Sequence, residues 1–390
     1  MTTRTTRRQV MGGAAGLAVG AAAGRAWAQS GPVTINVVDV AGNLALTQPA
    51  FELFRRRNPR LVSRIVFNKA SAPELPAKLR AQQDAKRVDI DLVLTGTDGL
   101  SAGIAQNLWE PLFPAQAAKL PVLADVLSPN ALRMQTLARD QACIVSYYPS
   151  GPLLEYMPDR VKQVPGTAEE LLAWCKANPR RFLYARPANS GPGRTFLMGL
   201  PYLLGDRDPA DPEHGWDKTW AFLQAMGDTI EYYPSGTGAV MKELGDGSRD
   251  MVVSTTGWDI NPRVLGVVPK EAKIAALKGF HWVGDAQYMA VPKGLAPERL
   301  ALLTEMMSFL LTKESQAFAY DQGYFYPGPA TAGVTLDMAP QDSQDAIREF
   351  GRPEYAELIA NNPVELPLDA DRMVYAFRRW DEQVGTRTAK

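Results

Sequence analysis

The sequence is poor in the two residue types that most often bind transition metals. Its 390 residues include two cysteines, Cys143 and Cys175, and two histidines, His214 and His281. This set does not form a Cys/His metal cluster of ordinary spacing, and we expect neither a metal nor a cofactor. Both cysteines lie in apolar runs, which is typical of buried thiols, although an oxidising compartment would permit a disulfide. The sequence leaves both states open.

An excess of positive charge is also missing. The chain has 42 Lys and Arg against 42 Asp and Glu, and its first 30 residues contain four arginines and no acid. Without that segment the net charge is 38 − 42 = −4. Nucleic-acid partners require a basic face, so we expect none. No later apolar run approaches the roughly 18 residues of a membrane span, and we expect none there.

The N-terminal segment has the pattern of a twin-arginine secretory signal. Arg7 and Arg8 precede a mildly apolar run rich in Gly and Ala, and Ala26-Trp27-Ala28 fits an A-x-A cleavage site. The alternative is a membrane anchor, for which the run is too short and too rich in small residues. We therefore expect residues 1–28 to be removed and the mature protein to reach the periplasm.

Alternating strand and helix patterns predict an α/β fold. The first strands are expected at 33–38, 62–67 and 90–94, with helices over 44–57 and 73–84 between them. This order implies a parallel sheet with right-handed crossovers. A second α/β unit starts near residue 141. Its expected strands and helices are 142–148, 167–178, 182–185, a helix from Arg194, 237–244, 250–254 and 286–292. Further helices are expected over 297–311, 313–320, 341–350 and 369–383.

Small polar loops stand at the ends of these predicted strands. They are residues 42–43, 95–98, 190–194, 235–238 and 254–258. In open α/β sheets, ligands bind at the carboxyl ends of strands, where helix N-termini offer free N–H groups. One such loop is an ordinary turn, but five across two α/β units favour a small-molecule cleft. No Gly-x-Ser-x-Gly elbow occurs, and no nucleophile-base-acid set stands out, so we expect no catalytic residue.

Four segments resemble the extracellular solute-binding proteins of ABC importers, near the branch that binds polyamines, thiamine or ferric iron. They are residues 90–112, 184–197, 235–258 and 306–329. The resemblance implies a two-lobe periplasmic-binding-protein fold, type II-like, with hinge crossovers and a helical C-terminal region. It also implies that a non-enzymatic, monomeric protein closes on a small solute and delivers it to the importer's membrane subunits. The alternative is an exported α/β hydrolase or lyase, since fold alone does not fix function.

The resemblance also suggests how the chain is divided. We expect a first lobe of residues 31–141 and 288–345, and a second lobe of residues 142–287. Residues 346–390 are expected to form a helical segment that packs on the lobes. The chain should cross between lobes near 141–148 and again near 285–291.

The expected site combines positions matched to the family with residues at strand ends. Residues after the strand at 250–254 match a ligand-contacting position, where the adjacent tyrosines of the iron branch are missing. Trp282-Val-Gly-Asp285 is one residue longer than the polyamine branch's Trp-x-Asp. Tryptophans can stack on a cation, and Arg186 and Arg194 could clamp an anion, so polyamine, thiamine-like and organic-acid solutes all stay open. The expected site residues are Asn43, Thr97, Asp98, Ser190, Gly191, Arg194, Thr255, Thr256, Trp258, Trp282 and Asp285.

Overall fold

The structure is a computed structural model that describes residues 31–386. The expected signal segment, residues 1–28, lies outside the described residues. Strands and α-helices are numbered here in chain order. The strands are β1 Val33–Asp39, β2 Val62–Lys69, β3 Leu92–Gly96, β4 Ala142–Gly151, β5 Leu153–Tyr156, β6 Phe182–Leu183, β7 Met251–Ser254, β8 Lys273–Ala275, β9 Trp282–Ala290, β10 Gly328–Pro329 and β11 Val364–Glu365.

The helices of the described residues range from one turn to four turns. They are α1 Leu44–Arg57, α2 Leu75–Asp84, α3 Thr97–Ala105, α4 Leu123–Val126, α5 Pro129–Gln135, α6 Ala168–Ala177, α7 Gly191–Leu204, α8 Asp217–Gly227, α9 Thr237–Asp246, α10 Thr256–Val264, α11 Pro297–Leu310, α12 Lys313–Ala317, α13 Gln341–Phe350, α14 Glu354–Asn361 and α15 Ala370–Gln383.

Helix α1 shows how local sequence sets an element next to the site. Leu46, Ala50 and Phe54 recur every four residues and are buried, so one face of the helix packs on the sheet. The carboxylate of Asp39, at the end of β1, accepts the backbone N–H of Leu44 at 3.0 Å. This contact satisfies a donor that the first turn of a helix leaves free. The helix expected over residues 44–57 is confirmed.

Seven strands form a large sheet, in the order β10-β4-β9-β3-β1-β2 with β11 paired to β9. Strand β1 is parallel to both β2 and β3, as the β-α-β-α-β pattern predicted. Strand β9 is antiparallel to β3 and β4. Because β9 follows the second α/β unit in sequence, it brings the chain back into the large sheet.

A second sheet contains four strands in the order β6-β7-β5-β8. Strand β7 is parallel to β6 and antiparallel to β5, and all of its residues are buried. Helices α7 and α9 pack against β7. The two sheets have separate hydrophobic cores, one around β1, β3 and α11 and the other around β7, α7 and α8. This is the two-lobe α/β architecture that the sequence predicted.

The chain passes between the two sheets at points displaced from the expected ones. It leaves the large sheet after β4, at Pro152, and returns between β8 and β9, at residues 276–281. Strand β4 and all of β9 belong to the large sheet, whereas the expected boundaries assign residues 142–287 to the second lobe. Sheet membership therefore favours grouping both strands with the first lobe. The division of the chain into moving lobes stays a prediction.

The C-terminal helix α15 packs on both units. Its residues Met373, Ala376 and Trp380 are buried in the core of the small-sheet unit, whereas Ala370 joins the core of the large-sheet unit. The indole N–H of Trp380 donates to the Tyr184 hydroxyl at 3.1 Å. On its other side the helix packs against α3.

Both cysteines are free and buried, Cys143 in the core around β4 and Cys175 in the core around α6. The two thiols thus lie in different cores, and a disulfide between them is not formed. Burial raises the pKa of the Cys143 thiol to about 12. Among residues 31–386, no helix has the length and apolarity needed to cross a membrane.

Candidate functional site

A cavity of about 160 Å³ lies where loops from both α/β units meet. The large-sheet unit contributes the ends of β1 and β3 and the adjacent strands β4 and β9. The small-sheet unit contributes the first turns of α7, α9 and α10. The lining residues are Val40, Ala41, Gly96, Asp98, Tyr148, Asn189, Ser190, Gly191, Arg194, Thr237, Trp258, Gln287, Tyr324 and Phe325.

Three helices of the small-sheet unit begin at this cavity. Ser190 caps α7, since its Oγ accepts the N–H of Gly193 at 3.1 Å, and the same Oγ is 2.7 Å from Oγ1 of Thr237 in α9. Thr255 caps α10 by accepting the N–H of Trp258 at 3.3 Å. Helix N-termini present free N–H groups and the positive end of the helix dipole. This wall is therefore rich in hydrogen-bond donors.

The carboxylate of Asp285, near the cavity, accepts four hydrogen bonds from within the protein. Its Oδ1 accepts the Thr97 hydroxyl at 2.7 Å and the N–H of Ala286 at 2.9 Å. Its Oδ2 accepts the Tyr148 hydroxyl at 2.9 Å and a guanidinium N–H of Arg194. Burial, together with the charge of Asp285, raises the pKa of Tyr148 well above its usual value, so the phenol stays a donor. Asp285 thus fixes residues from both units.

Arg194 joins two carboxylates. It is bonded to Asp285, and its Nη1 lies 3.0 Å from Oδ2 of Asp98. Burial lowers the pKa of Arg194, but Asp285 and Asp98 more than offset this, so its pKa lies above the usual value and the guanidinium is charged. Asp98 belongs to α3 in the large-sheet unit, whereas Arg194 belongs to α7. This ion pair therefore spans the two units beside the cavity.

An aromatic wall closes another side of the cavity. The ring of Phe325 stacks on Tyr148 and on Tyr324, with centroid distances of 4.9 and 4.1 Å. Trp258 meets Tyr324 edge-on at 5.4 Å. Gly257 allows this arrangement, because a Cβ there would come within 2.3 Å of the Phe325 backbone nitrogen. The wall can stack on a planar or cationic part of a solute.

Five of the eleven expected site residues line the cavity directly. They are Asp98, Ser190, Gly191, Arg194 and Trp258.

Five others lie behind the lining or at the elements that form it. Thr97 and Asp285 belong to the hydrogen-bonded group that holds Arg194. Thr255 caps α10, and the hydroxyl of Thr256 donates to the carbonyl of Tyr326 at 2.7 Å. Asn43 is buried at the start of α1, where its Oδ1 accepts the Thr47 hydroxyl at 2.7 Å. These residues position the wall rather than form it.

Trp282, which was expected among the ligand-binding residues, does not line this cavity. It is fully buried, with its ring 4.7 Å from that of Phe280 and its indole N–H bonded to the carbonyl of Leu358 at 3.0 Å. Arg186 also lies outside the cavity lining: it pairs with Asp381 at 2.8 Å. Both residues stabilise contacts with the C-terminal segment instead.

Several lining residues were not among the expected ones. Tyr148 and Gln287 come from the central strands β4 and β9, and Tyr324 and Phe325 come from the segment after α12. Thr237 falls in one of the five polar loops, so a signal for it was present in the sequence. The aromatic run at 324–326 was also visible, but only the fold shows that it packs beside α10.

A larger open depression of about 520 Å³ lies on the surface beside α2 and α3. Its lining is mostly alanine and proline, and it includes no residue of the small-sheet unit. Its polar side chains, those of Arg80, Asp84 and Gln106, come from the large-sheet unit alone, so it is a weaker candidate for a solute site between the units. Within the described residues, no group of three or more His, Cys, Asp or Glu side chains is placed to hold a metal ion.

The model of the bacterial extracellular solute-binding protein family matches residues 56–347. Since this match spans well over half of the chain, the chain belongs to that family. It is thus an extracellular solute-binding protein, as the sequence motifs implied. No curated protein matched the sequence.

Solved structures of periplasmic binding proteins share the fold. The fructose-6-phosphate-bound protein AfuA of Actinobacillus pleuropneumoniae is 14% identical, with a TM-score of 0.66 over 90% of this chain and 99% of that one. The GABA receptor Atu4243 is 16% identical, with a TM-score of 0.65 over 92% and 99%. The spermidine/putrescine-binding protein PotD of Streptococcus pneumoniae is 11% identical, with a TM-score of 0.58 over 89% and 99%.

Proposed function

We propose that this protein captures a small polar solute in the cavity between its two α/β units and delivers it to an ABC importer. The observation that carries the proposal is the cavity itself, because side chains from both units converge on it. Its volume of about 160 Å³ is below the roughly 300–1,000 Å³ of drug-sized ligand pockets. A small solute is therefore favoured.

The cavity chemistry favours binding over catalysis. Among the described residues that line it there is no histidine and no cysteine. The Oγ of Ser190 is engaged with the Thr237 hydroxyl and the N–H of Gly193, and neither partner is a general base. An exported hydrolase or lyase would need an activated nucleophile or a free acid-base pair at this place.

We further propose that the protein works as a monomer in the periplasm after export by the twin-arginine route. The support for export and location is the Arg7-Arg8 pair, the A-x-A sequence at residues 26–28 and the extracellular family. The relatives with solved structures bind chemically different solutes, by name a sugar phosphate, GABA and polyamines. The solute class must therefore come from this chain's own residues.

A thermal-shift screen followed by calorimetry tests the proposal. The panel contains amino acids, organic acids, sugar phosphates, polyamines and thiamine. A true solute at ~100 times its Kd adds about 2.7 kcal/mol of stability. Each hit is then incubated with the protein and recovered. Recovery of the unchanged compound supports a binding protein, whereas conversion of the compound contradicts it.

A further inference from the structure

We propose that the solute carries an oxyanion, a carboxylate or a phosphate ester, held by Arg194 and by the N-termini of α7 and α9. This inference rests on the proposed function, since it names the chemical class that the same cavity takes. Some acidic and basic groups of the site are already hydrogen-bonded or ion-paired within the protein, and others are left for a solute.

The carboxylates at the site are already occupied. Asp285 is 0% exposed, does not line the cavity and accepts four hydrogen bonds from within the protein. Asp98 lines the cavity, but its Oδ1 accepts the N–H of Gly99 at 2.8 Å and its Oδ2 faces Arg194. Asp98 is the one carboxylate among the described lining residues, and it is ion-paired with Arg194. A polyamine would therefore find aromatic faces and neutral acceptors among these residues, but no second carboxylate for its ammonium groups.

The donors, in contrast, are incompletely used. Nη1 of Arg194 lies near Asp98 but makes no hydrogen bond of acceptable geometry, although the side chain is only 4% exposed. Nη1 is thus held by an ion pair with Asp98 but without a directed hydrogen bond, so an oxyanion of a solute can compete with Asp98 for its N–H groups. Arg194 presents a planar fork that suits carboxylate and phosphate oxygens.

Two helix N-termini form the rest of the proposed oxyanion-binding site. Helix α9 begins at Thr237 after Gly236, which has no side chain to cap it. Helix α7 begins at Gly191, and its capping Ser190 is 2.7 Å from Thr237. The formal charges of Arg194, Asp98 and Asp285 sum to +1 − 2 = −1. The helix ends offset this charge, because each carries roughly +0.5 of an elementary charge.

Gln287 indicates that the solute also carries a hydrogen-bond donor. Its Oε1 is buried without a hydrogen-bond partner, the side chain is 1% exposed, and the residue lines the cavity. A solute that also presents a hydroxyl or an amine would satisfy this acceptor. The structure thus favours a small hydroxy acid, amino acid or phosphate ester over a simple cation.

Asp98 and the solute's oxyanion compete for the same face of Arg194. Removing the charge of Asp98 should therefore strengthen binding of an anion and weaken binding of a cation. The variant Asp98→Asn is nearly isosteric, and its amide oxygen can still accept the N–H of Gly99. Asp371→Asn is the matched control, because it removes one equal charge at an exposed position outside the cavity.

The experiment measures Kd by calorimetry for length-matched probes: 4-hydroxybutyrate, 4-aminobutyrate, 1,4-butanediol and putrescine. Glycerol 3-phosphate and glycerol form a second matched pair, and spermidine and thiamine extend the cationic set.

We expect binding only among probes with a carboxylate or phosphate. Asp98→Asn should tighten this binding several-fold, and Asp371→Asn should leave it unchanged. Arg194→Lys should weaken the same probes roughly tenfold or more, because it loses the bidentate fork. Arg186→Lys is its control.

The outcomes separate the two proposals. If only putrescine, spermidine or thiamine bind, and Asp98→Asn weakens them, the oxyanion assignment is wrong while solute binding stands. If the two neutral diol and triol probes bind as well as their anionic partners, the assignment is also wrong. If no probe of either charge binds, and no solute copurifies with the protein by mass spectrometry, both proposals are contradicted. Binding of the carboxylate probes or of glycerol 3-phosphate shows whether the oxyanion is a carboxylate or a phosphate ester.

Discussion

At the scale of single residues, Trp258 and Trp282 have opposite surroundings. Trp258 is half-buried, lines the cavity and contacts Tyr324 by its edge. Trp282 is enclosed by Phe280, Tyr355 and the C-terminal segment. Both residues stand in segments that resemble the family's site, so composition alone does not separate them. Their burial favours Trp258 as a residue of the proposed binding site and Trp282 as a residue that stabilises the fold.

Trp258→Ala should weaken solute binding by about 1–2 kcal/mol, because it removes an aromatic face that packs on the bound solute. Its effect on unfolding should be small, because little core volume is removed. Trp282→Ala is the comparison and should cost roughly 3–5 kcal/mol of unfolding free energy. Calorimetry and urea unfolding on both variants check this. A large stability loss for Trp258→Ala with unchanged Kd would remove it from the site.

Glu155 is an unusual acid in the core of the small-sheet unit. It lies in β5 and is 0% exposed. Burial, followed by the charge of Asp259, raises the pKa of Glu155 well above its usual value, although the Ser254 hydroxyl and then Arg263 and Arg352 lower it in part. The folded protein therefore binds this proton more tightly than the unfolded chain does.

This raised pKa predicts the sign of a pH effect. Its stabilising contribution is fully present below the unfolded pKa of about 4.3 and is lost as pH rises toward the folded value. Glu155→Gln should therefore become progressively more stable than the parent as pH rises above about 4.5. Urea unfolding between pH 4 and 8 measures this, with the exposed Glu271→Gln as control. Parallel stability curves for parent and Glu155→Gln would contradict the expectation.

At the scale of elements, α15 connects regions that are distant in sequence. It buries Met373, Ala376 and Trp380 in the small-sheet core and packs on α3, whose first turn carries Asp98. The helix therefore braces α3 from outside the cavity. Its polar residues also pair across units, for example Asp371 with Arg139 at 3.2 Å.

Trp380→Ala should destabilise the protein by roughly 3–5 kcal/mol, because it empties a buried site next to Tyr184. Val374→Ala on the same helix is the control, since Val374 is 41% exposed and should change stability by less than about 0.5 kcal/mol. Thermal and urea unfolding give both values. Equal effects for the two variants would show that α15 is not packed as described.

The order of strands and helices can largely be predicted from local sequence. The residues at which the helices beside the cavity begin cannot. Helix α1 and strand β1 were predicted nearly to the residue, because the apolar spacing and the β-branched run leave little choice. Ser190-Gly191-Pro192-Gly193 was interpreted as a turn, yet it is the cap and first turn of α7. Helix N-termini use the same Ser, Gly and Pro residues as turns, so the two are alike in sequence.

The members of the site were predictable only in part, for a related reason. Loops at strand ends can be recognised, and they supplied Asp98, Ser190 and Arg194. Which side of a strand or helix faces the cavity depends on packing between distant segments. Tyr148, opposite Asp285 in the β4–β9 pairing, and Gln287 are examples, since their strands are buried throughout and show no alternation of polarity.

At the scale of the whole molecule, the central question is how two α/β units act together. The ion pair between Asp98 and Arg194 and the hydrogen bond between Thr97 and Asp285 tie α3 to α7 through the strands of the large sheet. A solute that replaces part of this network would couple its own binding to the separation of the units.

Export of the whole protein gives a separate prediction. Replacing both Arg7 and Arg8 with lysine should leave the precursor in the cytoplasm, since the twin-arginine receptor recognises the pair rather than its charge. Cell fractionation and immunoblotting measure the periplasmic fraction. The control variant Arg4→Lys lies outside the pair and should be exported normally. Normal periplasmic accumulation of the double variant would contradict the assignment of the route.

The most direct test of the account is a crystal structure of the protein with its bound solute. We predict that the solute lies between α3 and the N-termini of α7 and α9, in contact with Arg194 and Trp258, with an oxyanion on the Arg194 guanidinium. We also predict that Asp285 keeps its four internal hydrogen bonds. A solute bound at the open depression beside α2, or in the cavity with no contact to Arg194 or Trp258, would contradict this prediction.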